Sequence, residues 1–244
     1  MGILKNLTEE YFGKIERTED ELPMLDELPE GVGIHDFTDM NGKRHKEGYY
    51  IIIEEDDNEY SVNTILNRLI GKLIDLRGDD CNLNDVDVSN VEYMGGIFQF
   101  TDFCGDVSGW NTSSCKDMYR MFYNCNKFNC NLDKWDVSNV TIFTEMFKDC
   151  HKFNGNVDNW KFNTKDEVFM TGMFQNCLEF DRNISKWDVS NVVHTAEMFY
   201  GCGSLCKDLS NWKFPDKFVT SSLMFTKCPK MKKEFYPKGV KRIK

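Results

Sequence analysis

The hydrophobic positions of this chain recur with a fixed period over its C-terminal two thirds. The five tryptophans are the clearest markers, with spacings of 25, 25, 27 and 25 residues. They are Trp110, Trp135, Trp160, Trp187 and Trp212. A period in this range is typical of proteins whose repeats bury their apolar faces by stacking on one another. The pattern therefore predicts a six-rung repeat solenoid over residues 81–228.

Each repeat, called a rung below, carries further apolar positions three or four residues apart. In residues 136–160 these are Val140, Phe143, Met146, Phe147 and Cys150. This spacing favours one face of a short helix or a succession of helical turns. The polar-interrupted segment that follows predicts a turn and a brief strand around the tryptophan. The expected fold class is therefore LRR-like, with one short parallel strand and one helical turn per rung of about 25 residues.

A cysteine column and a methionine column run beside the tryptophans. The cysteines are Cys125, Cys150, Cys177, Cys202 and Cys228, and Met-Phe pairs precede them by three residues. A metal site is one interpretation, but the chain has no C-x-x-C spacing and no histidine in this column. Free cysteine behaves as a compact hydrophobe. We expect both columns to be structural core, with no metal and no cofactor.

The residues flanking the tryptophans are polar and alternate in charge. Down the predicted stack one column runs Asp136, Lys161, Asp188, Lys213. It is open to two interpretations: a charged recognition stripe, or a cross-strand ion-pair ladder that fixes the register of the rungs. Eight outward residues are the candidate protein contacts. They are Lys134, Asp136, Asn159, Lys161, Lys186, Asp188, Asn211 and Lys213.

The motifs of the rungs also resemble a known repeat. The string W-D-V-S-N-V, followed by M-F-x-x-C and F-N, alternates with W-N-T-S at Trp110–Ser113. It closely resembles the BspA-like (DUF285) repeats of bacterial surface proteins and of protist and giant-virus proteins, over residues 81–228. The resemblance implies an LRR-like fold and a protein-interaction role, without catalytic residues to carry over. Cysteine stands where the bacterial repeats usually place alanine, and no secretion signal is visible, which suits an intracellular eukaryotic or giant-virus member.

The segments outside the repeat predict a small α+β region and a cap. Residues 62–76 place apolar side chains on one helical face, so residues 62–80 are expected to cover the open end of the solenoid. A partner-binding helix is the alternative. Residues 1–61 form the N-terminal α+β region with an acidic linker, including a short helix near 7–15 and a hairpin of 32–38 with 49–53 around Asn41-Gly42. Residues 229–244 are expected to be a terminal cap or tail.

The charge distribution limits the class of partner. Residues 1–80 hold 9 Lys and Arg against 20 Asp and Glu, whereas residues 229–244 hold 7 against 1. An acidic body disfavours nucleic-acid binding except through the basic tail 230–244, which is otherwise a solvated terminus. Ten cysteines without a signal peptide or membrane span predict a reducing, intracellular location, cytoplasmic or in a virion, rather than secretion.

No motif in the chain indicates catalysis. The four histidines share no repeat position, and G-x-S-x-G, H-E-x-x-H and P-loop patterns are absent. We therefore expect a non-enzymatic protein-interaction scaffold. The second hypothesis is a structural component of a large assembly, such as a minor capsid protein of a giant-virus particle. A surface adhesin is the third.

Overall fold

The computed structural model describes residues 23–53, 59–216 and 220–240. Its N-terminal part is an antiparallel hairpin of β1 (Val32–Thr38) and β2 (Arg44–Ile51), which confirms the hairpin predicted around Asn41-Gly42. β2 also pairs in parallel with β3 (Val86–Asp87), the start of the first rung. The hairpin therefore extends the repeat region through a shared three-stranded sheet. The helix predicted near 7–15 and residues 241–244 lie outside the described residues.

One long helix, α1 (Glu59–Arg77), precedes the rungs and confirms the helix predicted from the apolar pattern. Leu66, Leu69 and Leu73 on its inner face are fully buried. The side-chain amide of Asn63 donates hydrogen bonds to the carbonyls of Tyr93 and Gly95, both at 3.1 Å. The helix thus supplies donors to backbone carbonyls of the first rung that have no preceding rung to pair with.

Successive rungs are joined by a regular backbone ladder, here called the turn ladder. It comprises residues 93–100, 117–124, 142–149, 169–176, 194–201 and 220–227. At each of the five junctions, four alternate N–H groups donate to carbonyls of the next rung. Between the second and third rungs the donors are Met118, Arg120, Phe122 and Asn124, and the acceptors are Ile142, Thr144, Met146 and Lys148. Isolated parallel bridges also join these segments from Tyr93 to Phe169.

Within each rung the turn ladder is a run of tight turns, and the predicted helix is not formed. N–H groups donate to carbonyls three residues back, as Met121 does to Met118 at 3.2 Å. Arg120 and Asn124 have φ values of 52° and 60°, in the left-handed region that no α-helix uses. Turns closed every three residues place apolar side chains at nearly the spacing of a helix face. The sequence pattern could not separate the two.

The strand predicted around each tryptophan is also wrong. The short strands of the repeats, β4 (Val168–Phe169) and β5 (Val192–His194), lie at the start of the turn ladder and pair in parallel. The tryptophan segments are irregular. Hydrogen bonding between rungs is densest where the peptide groups are aligned, and that alignment occurs on the opposite side of the rung from the tryptophans.

The core is a continuous stack of aromatic rings inside the rungs. One phenylalanine per rung stacks on its successor with centroids 5.1–5.7 Å apart and nearly parallel planes. These residues are Phe98, Phe122, Phe147, Phe174, Phe199 and Phe225. All are buried. Because each of the four inner rings contacts the ring above and the ring below, removing one of them would affect two junctions.

The C-terminal segment continues the last rung. Met231, Tyr236 and Val240 are buried, and the Tyr236 ring lies 4.5 Å from that of Phe225. The N–H of Leu209 donates to the carbonyl of Phe235, at the end of a 3-10 helix Lys233–Phe235. Residues 229–240 therefore follow the tryptophan side of the stack, although Pro229 interrupts the repeat motif.

Candidate interaction surfaces

The tryptophan column is buried and does not form a recognition surface. Each of the five side chains is at most 4% exposed, and neighbouring rings such as Trp160 and Trp187 stack with centroids 6.2 Å apart. Every indole N–H donates to a backbone carbonyl of the preceding rung, at 2.7–3.0 Å. The acceptors are Leu83, Val107, Leu132, Val157 and Ile184. Each tryptophan therefore contributes both apolar burial and one hydrogen bond that fixes the register of two rungs.

The cysteine column is equally buried, and its thiols bond to the backbone. Each Sγ donates to the carbonyl of the core phenylalanine one rung earlier, as Cys177 does to Phe147 at 3.0 Å. Burial raises the pKa of Cys125 to about 11 and holds those of Cys150 and Cys177 well above the usual value. A thiol that stays protonated is neither a nucleophile nor a ready metal ligand. Among the described residues no cluster of His, Cys, Asp and Glu is arranged to hold a metal ion.

The eight polar residues predicted as protein contacts are all exposed. They stand on either side of the tryptophans, one or two in each of the rungs that contain or follow Trp135. We call them the tryptophan-flanking stripe: Lys134, Asp136, Asn159, Lys161, Lys186, Asp188, Asn211 and Lys213. Apart from Lys134, whose Nζ donates to Asn41 Oδ1 at 2.8 Å, their side chains make no hydrogen bond to another rung within the described residues.

The ion-pair ladder proposed for this stripe is wrong. No salt bridge joins Asp136 or Asp188 to Lys161 or Lys213 in the described part of the chain. Each aspartate instead accepts a hydrogen bond from the N–H two residues later, that of Ser138 or Ser190, at 3.0 Å. This local turn directs one carboxylate oxygen of each aspartate to its own backbone and not to the neighbouring rung. The charged stripe is therefore not committed to holding the rungs in register.

A second polar surface was missed by sequence reasoning. A groove of about 380 Å³ crosses the rungs where they enter the turn ladder. Its lining is made of hydroxyl, amide and charged side chains: Glu92, Ser113, Ser114, Lys116, Asn139, Thr141, Asn163 and Asp166. The wall at Asn163 and Asp166 belongs to the rung with 27 rather than 25 residues between tryptophans. The 27-residue spacing was the one sign of this groove in the sequence, because two extra residues in a regular stack must project from its surface.

The basic end of the chain is partly structured. Lys230, Lys232, Lys233 and Lys238 are exposed on the segment that continues the last rung. Lys241, Arg242 and Lys244 lie outside the described residues. The Nζ of Lys232 lies 5.2 Å from the centroid of the Phe235 ring, so one of these cations packs on the chain itself. The predicted solvated tail therefore begins no earlier than residue 241.

A buried ion pair and a buried histidine–aspartate hydrogen bond connect the N-terminal region to the rungs. Arg77, at the end of α1, makes a two-pronged contact with Asp85 at 2.7 and 2.8 Å. His45 Nε2 lies 2.9 Å from Asp39 Oδ2, and both side chains are almost fully buried. Asp39 in turn packs on Gly109, where an added Cβ would lie 2.8 Å from Oδ2. The polar atoms of these pairs are bonded to each other and buried. Their role is therefore structural.

Comparison with known proteins identifies one family. The family model described as "Mycoplasma protein of unknown function, DUF285" matches residues 74–169 and 161–237. No curated protein and no solved structure matches the chain. In the described residues, no helix has both the length and the apolar character needed to cross a bilayer.

Proposed function

The chain belongs to the DUF285 family, and we propose that it is a non-enzymatic scaffold that binds another protein through a rigid, LRR-like solenoid. The observation that carries this proposal is the tryptophan-flanking stripe. Its eight residues are exposed, repeat from rung to rung, and have almost no part in holding the stack together. Exposed charged side chains that form no ion pair between rungs within the described residues are available to a partner.

The mechanism is geometric. The tryptophan column and the turn ladder fix the distance between rungs, so the stripe presents its polar groups in a pre-ordered row. A partner that meets such a row loses little of its binding energy to ordering the surface it contacts. Affinity then comes from many modest contacts over an extended surface, with a few central side chains contributing most.

The test removes the stripe without disturbing the core. In one variant the four lysines Lys134, Lys161, Lys186 and Lys213 are changed to alanine. A matched control carries alanine at Lys127 and Lys152, which are exposed cations paired with Asp102 and Glu179 elsewhere on the surface. Proximity labelling in the native source compares both variants with the unaltered chain.

The scaffold proposal expects the stripe variant to lose the proteins that the unaltered chain labels. The control should keep them, and both variants should melt within a few degrees of the unaltered chain. An unchanged set of labelled proteins in the stripe variant would contradict the assignment of this surface. Loss of labelling in both variants would assign the effect to general surface charge and would contradict it equally.

A further inference from the structure

The last position of the turn ladder holds an aromatic residue in the first rung, where most other rungs have a residue that tolerates the backbone conformation. The last ladder residue of every rung has a positive φ, between 57° and 76°. These residues are Phe100, Asn124, Asp149, Asn176, Gly201 and Lys227. Asparagine, aspartate and glycine tolerate this conformation, whereas a bulky aromatic residue is disfavoured in it. Phe100, with φ of 62°, and Lys227, with φ of 57°, are the two exceptions, and Phe100 is the aromatic one.

Phe100 is also unusual in its exposure. Its side chain is 66% exposed, the highest value among the large hydrophobic residues of the described chain. The backbone at Phe100 is strained, and its exposed ring gains little from burial. Its one ring contact among the described residues is an edge contact with Tyr123, at 4.9 Å. Folding alone does not account for it. Strained residues of this kind concentrate at binding sites.

An arginine stacks on Tyr123, the ring that Phe100 contacts. The guanidinium of Arg120 lies 4.9 Å from the Tyr119 ring centroid and 5.2 Å from that of Tyr123. Its Nε donates to Glu145 at 2.5 Å, which fixes the orientation of the group. Among the described residues, no acceptor is hydrogen-bonded to the two terminal nitrogens. Two planar donors are thus held ready for a carboxylate, the group that an arginine fork fits best.

The Arg120 guanidinium is only partly compensated. Glu145 is shared between two cations, because its second oxygen accepts from Lys148 Nζ at 2.8 Å. With Asp117 beside Arg120, the four side chains sum to zero charge, so the preference for a carboxylate rests on the Arg120 fork and not on net charge. A groove of about 440 Å³ adjoins Arg120, and its lining includes the amides of Asn63 and Gln99. Its carboxylate, Asp117, accepts a hydrogen bond from the N–H of Tyr119 at 2.6 Å.

We propose that Phe100, Tyr119, Arg120 and Tyr123, here called the aromatic–arginine patch, bind an extended acidic segment of a partner protein. A carboxylate of the segment takes the Arg120 fork, and a neighbouring aliphatic or aromatic side chain contacts Phe100. Tyrosine and arginine are the residues most enriched among those that dominate protein interfaces. A carbohydrate fits less well, because a face of each tyrosine ring is already covered by the guanidinium.

The patch deepens the proposed scaffold function, since it names one surface and the chemistry of its partner. The first test asks whether Phe100 serves folding. Phe100→Asn places in the first rung the residue that stands at 124 and 176. We expect an unchanged or higher melting temperature. A fall of several degrees would show that Phe100 is a folding contact and would overturn the proposal.

The second test measures binding to the full chain by fluorescence polarisation. The probe is a labelled peptide of four Asp-Leu pairs, and the comparison peptides carry Lys-Leu or Asp-Ser pairs. The Asp-Leu peptide should bind at least about tenfold more tightly than either, since only it offers both the carboxylate and the apolar contact. Arg120→Lys keeps the charge and removes the fork, so it should weaken binding about tenfold; Phe100→Asn should do the same.

Two controls separate this patch from the stripe and from general attraction. The four-lysine stripe variant should bind the Asp-Leu peptide as the unaltered chain does, so the two proposals can fail independently. Lys127→Ala, at an exposed cation outside the patch, should also leave binding unchanged. No binding at millimolar peptide, equal binding of the Lys-Leu peptide, unaffected binding in Arg120→Lys, or preference for an oligosaccharide would each overturn the proposal.

Discussion

The two sides of the rung stack are held together by different means. On the turn-ladder side, four backbone hydrogen bonds cross each junction, and, outside the buried Met-Phe columns, the side chains there differ from rung to rung. On the tryptophan side, the junctions depend on particular side chains: an indole N–H, a stacked ring and a close backbone contact at Gly155. The comparison teaches that the tryptophan side fixes the repeat in the sequence, while the ladder side leaves its surface open to change.

The most damaging change should be on the tryptophan side. Trp160→Ala removes a buried ring and the donor to the Leu132 carbonyl at 2.7 Å. We expect a loss of about 3–5 kcal/mol in the free energy of unfolding, as for other core aromatic truncations. Urea unfolding followed by tryptophan fluorescence measures it. A loss below about 1 kcal/mol would mean that this side is not the one that depends on side chains.

A single methyl group should also distinguish a close junction from an open one. In Gly155→Ala the added Cβ would lie 1.9 Å from the Cys130 carbonyl oxygen, so backbone must move. We expect a loss of about 1–3 kcal/mol, typical of overpacking. Gly203→Ala is the matched control, because its nearest neighbour, the Leu178 carbonyl oxygen, is 3.7 Å away. The idea fails if the two variants unfold at the same urea concentration.

The buried thiols should make the stack sensitive to alkali. Burial raises the pKa of Cys125 to about 11, so the thiol ionises in the unfolded chain at a lower pH than in the folded one. The unfolded state then releases the proton first, and stability falls as pH rises from about 9 towards 11. This thiol alone should contribute a slope of up to about 1.4 kcal/mol per pH unit.

The measurement compares Cys125→Ala with the unaltered chain over this range of pH. Lysines and tyrosines titrate in both proteins, so the difference between the two slopes isolates the thiol. The variant should be less stable at neutral pH and should lose stability less steeply above pH of about 9. Parallel slopes would contradict burial of the Cys125 thiol as the cause of the raised pKa.

The smallest effect should be on the ladder side. Thr144 takes part in the ladder through its carbonyl, which accepts from the Arg120 N–H at 3.1 Å. Thr144→Ala keeps this bond, so we expect a change within about 0.5 kcal/mol by urea unfolding. A loss comparable with that of Gly155→Ala would show that side chains also hold the ladder side, and the contrast between the two sides would disappear.

Much of this architecture could be predicted from the sequence. The tryptophan and cysteine columns and helix α1 were identified because burial selects apolar residues at fixed positions. The turn ladder was predicted as a short helix, and the strand was predicted around the tryptophan, because backbone hydrogen bonds leave no mark on residue type. The exposed stripe was recognised, but its charge alternation suggested pairing that Asp136 and Asp188 replace with local turns. The aromatic–arginine patch was missed because its residues, Phe100 and Arg120 among them, belong to different columns and meet only in the folded stack.

The common direction of the ladder bonds has an electrical consequence. In every junction the ladder N–H groups point toward the C-terminal rungs and the carbonyls toward the N-terminal rungs. Aligned peptide dipoles add, as in a helix, so the stack has its positive pole at the C-terminal end. The formal charges of the described residues add to this moment, since acidic side chains outnumber basic ones before residue 80 and basic ones outnumber acidic ones between residues 229 and 240. Such a molecule turns as it approaches a charged surface, and it arrives with the C-terminal end toward an anionic one.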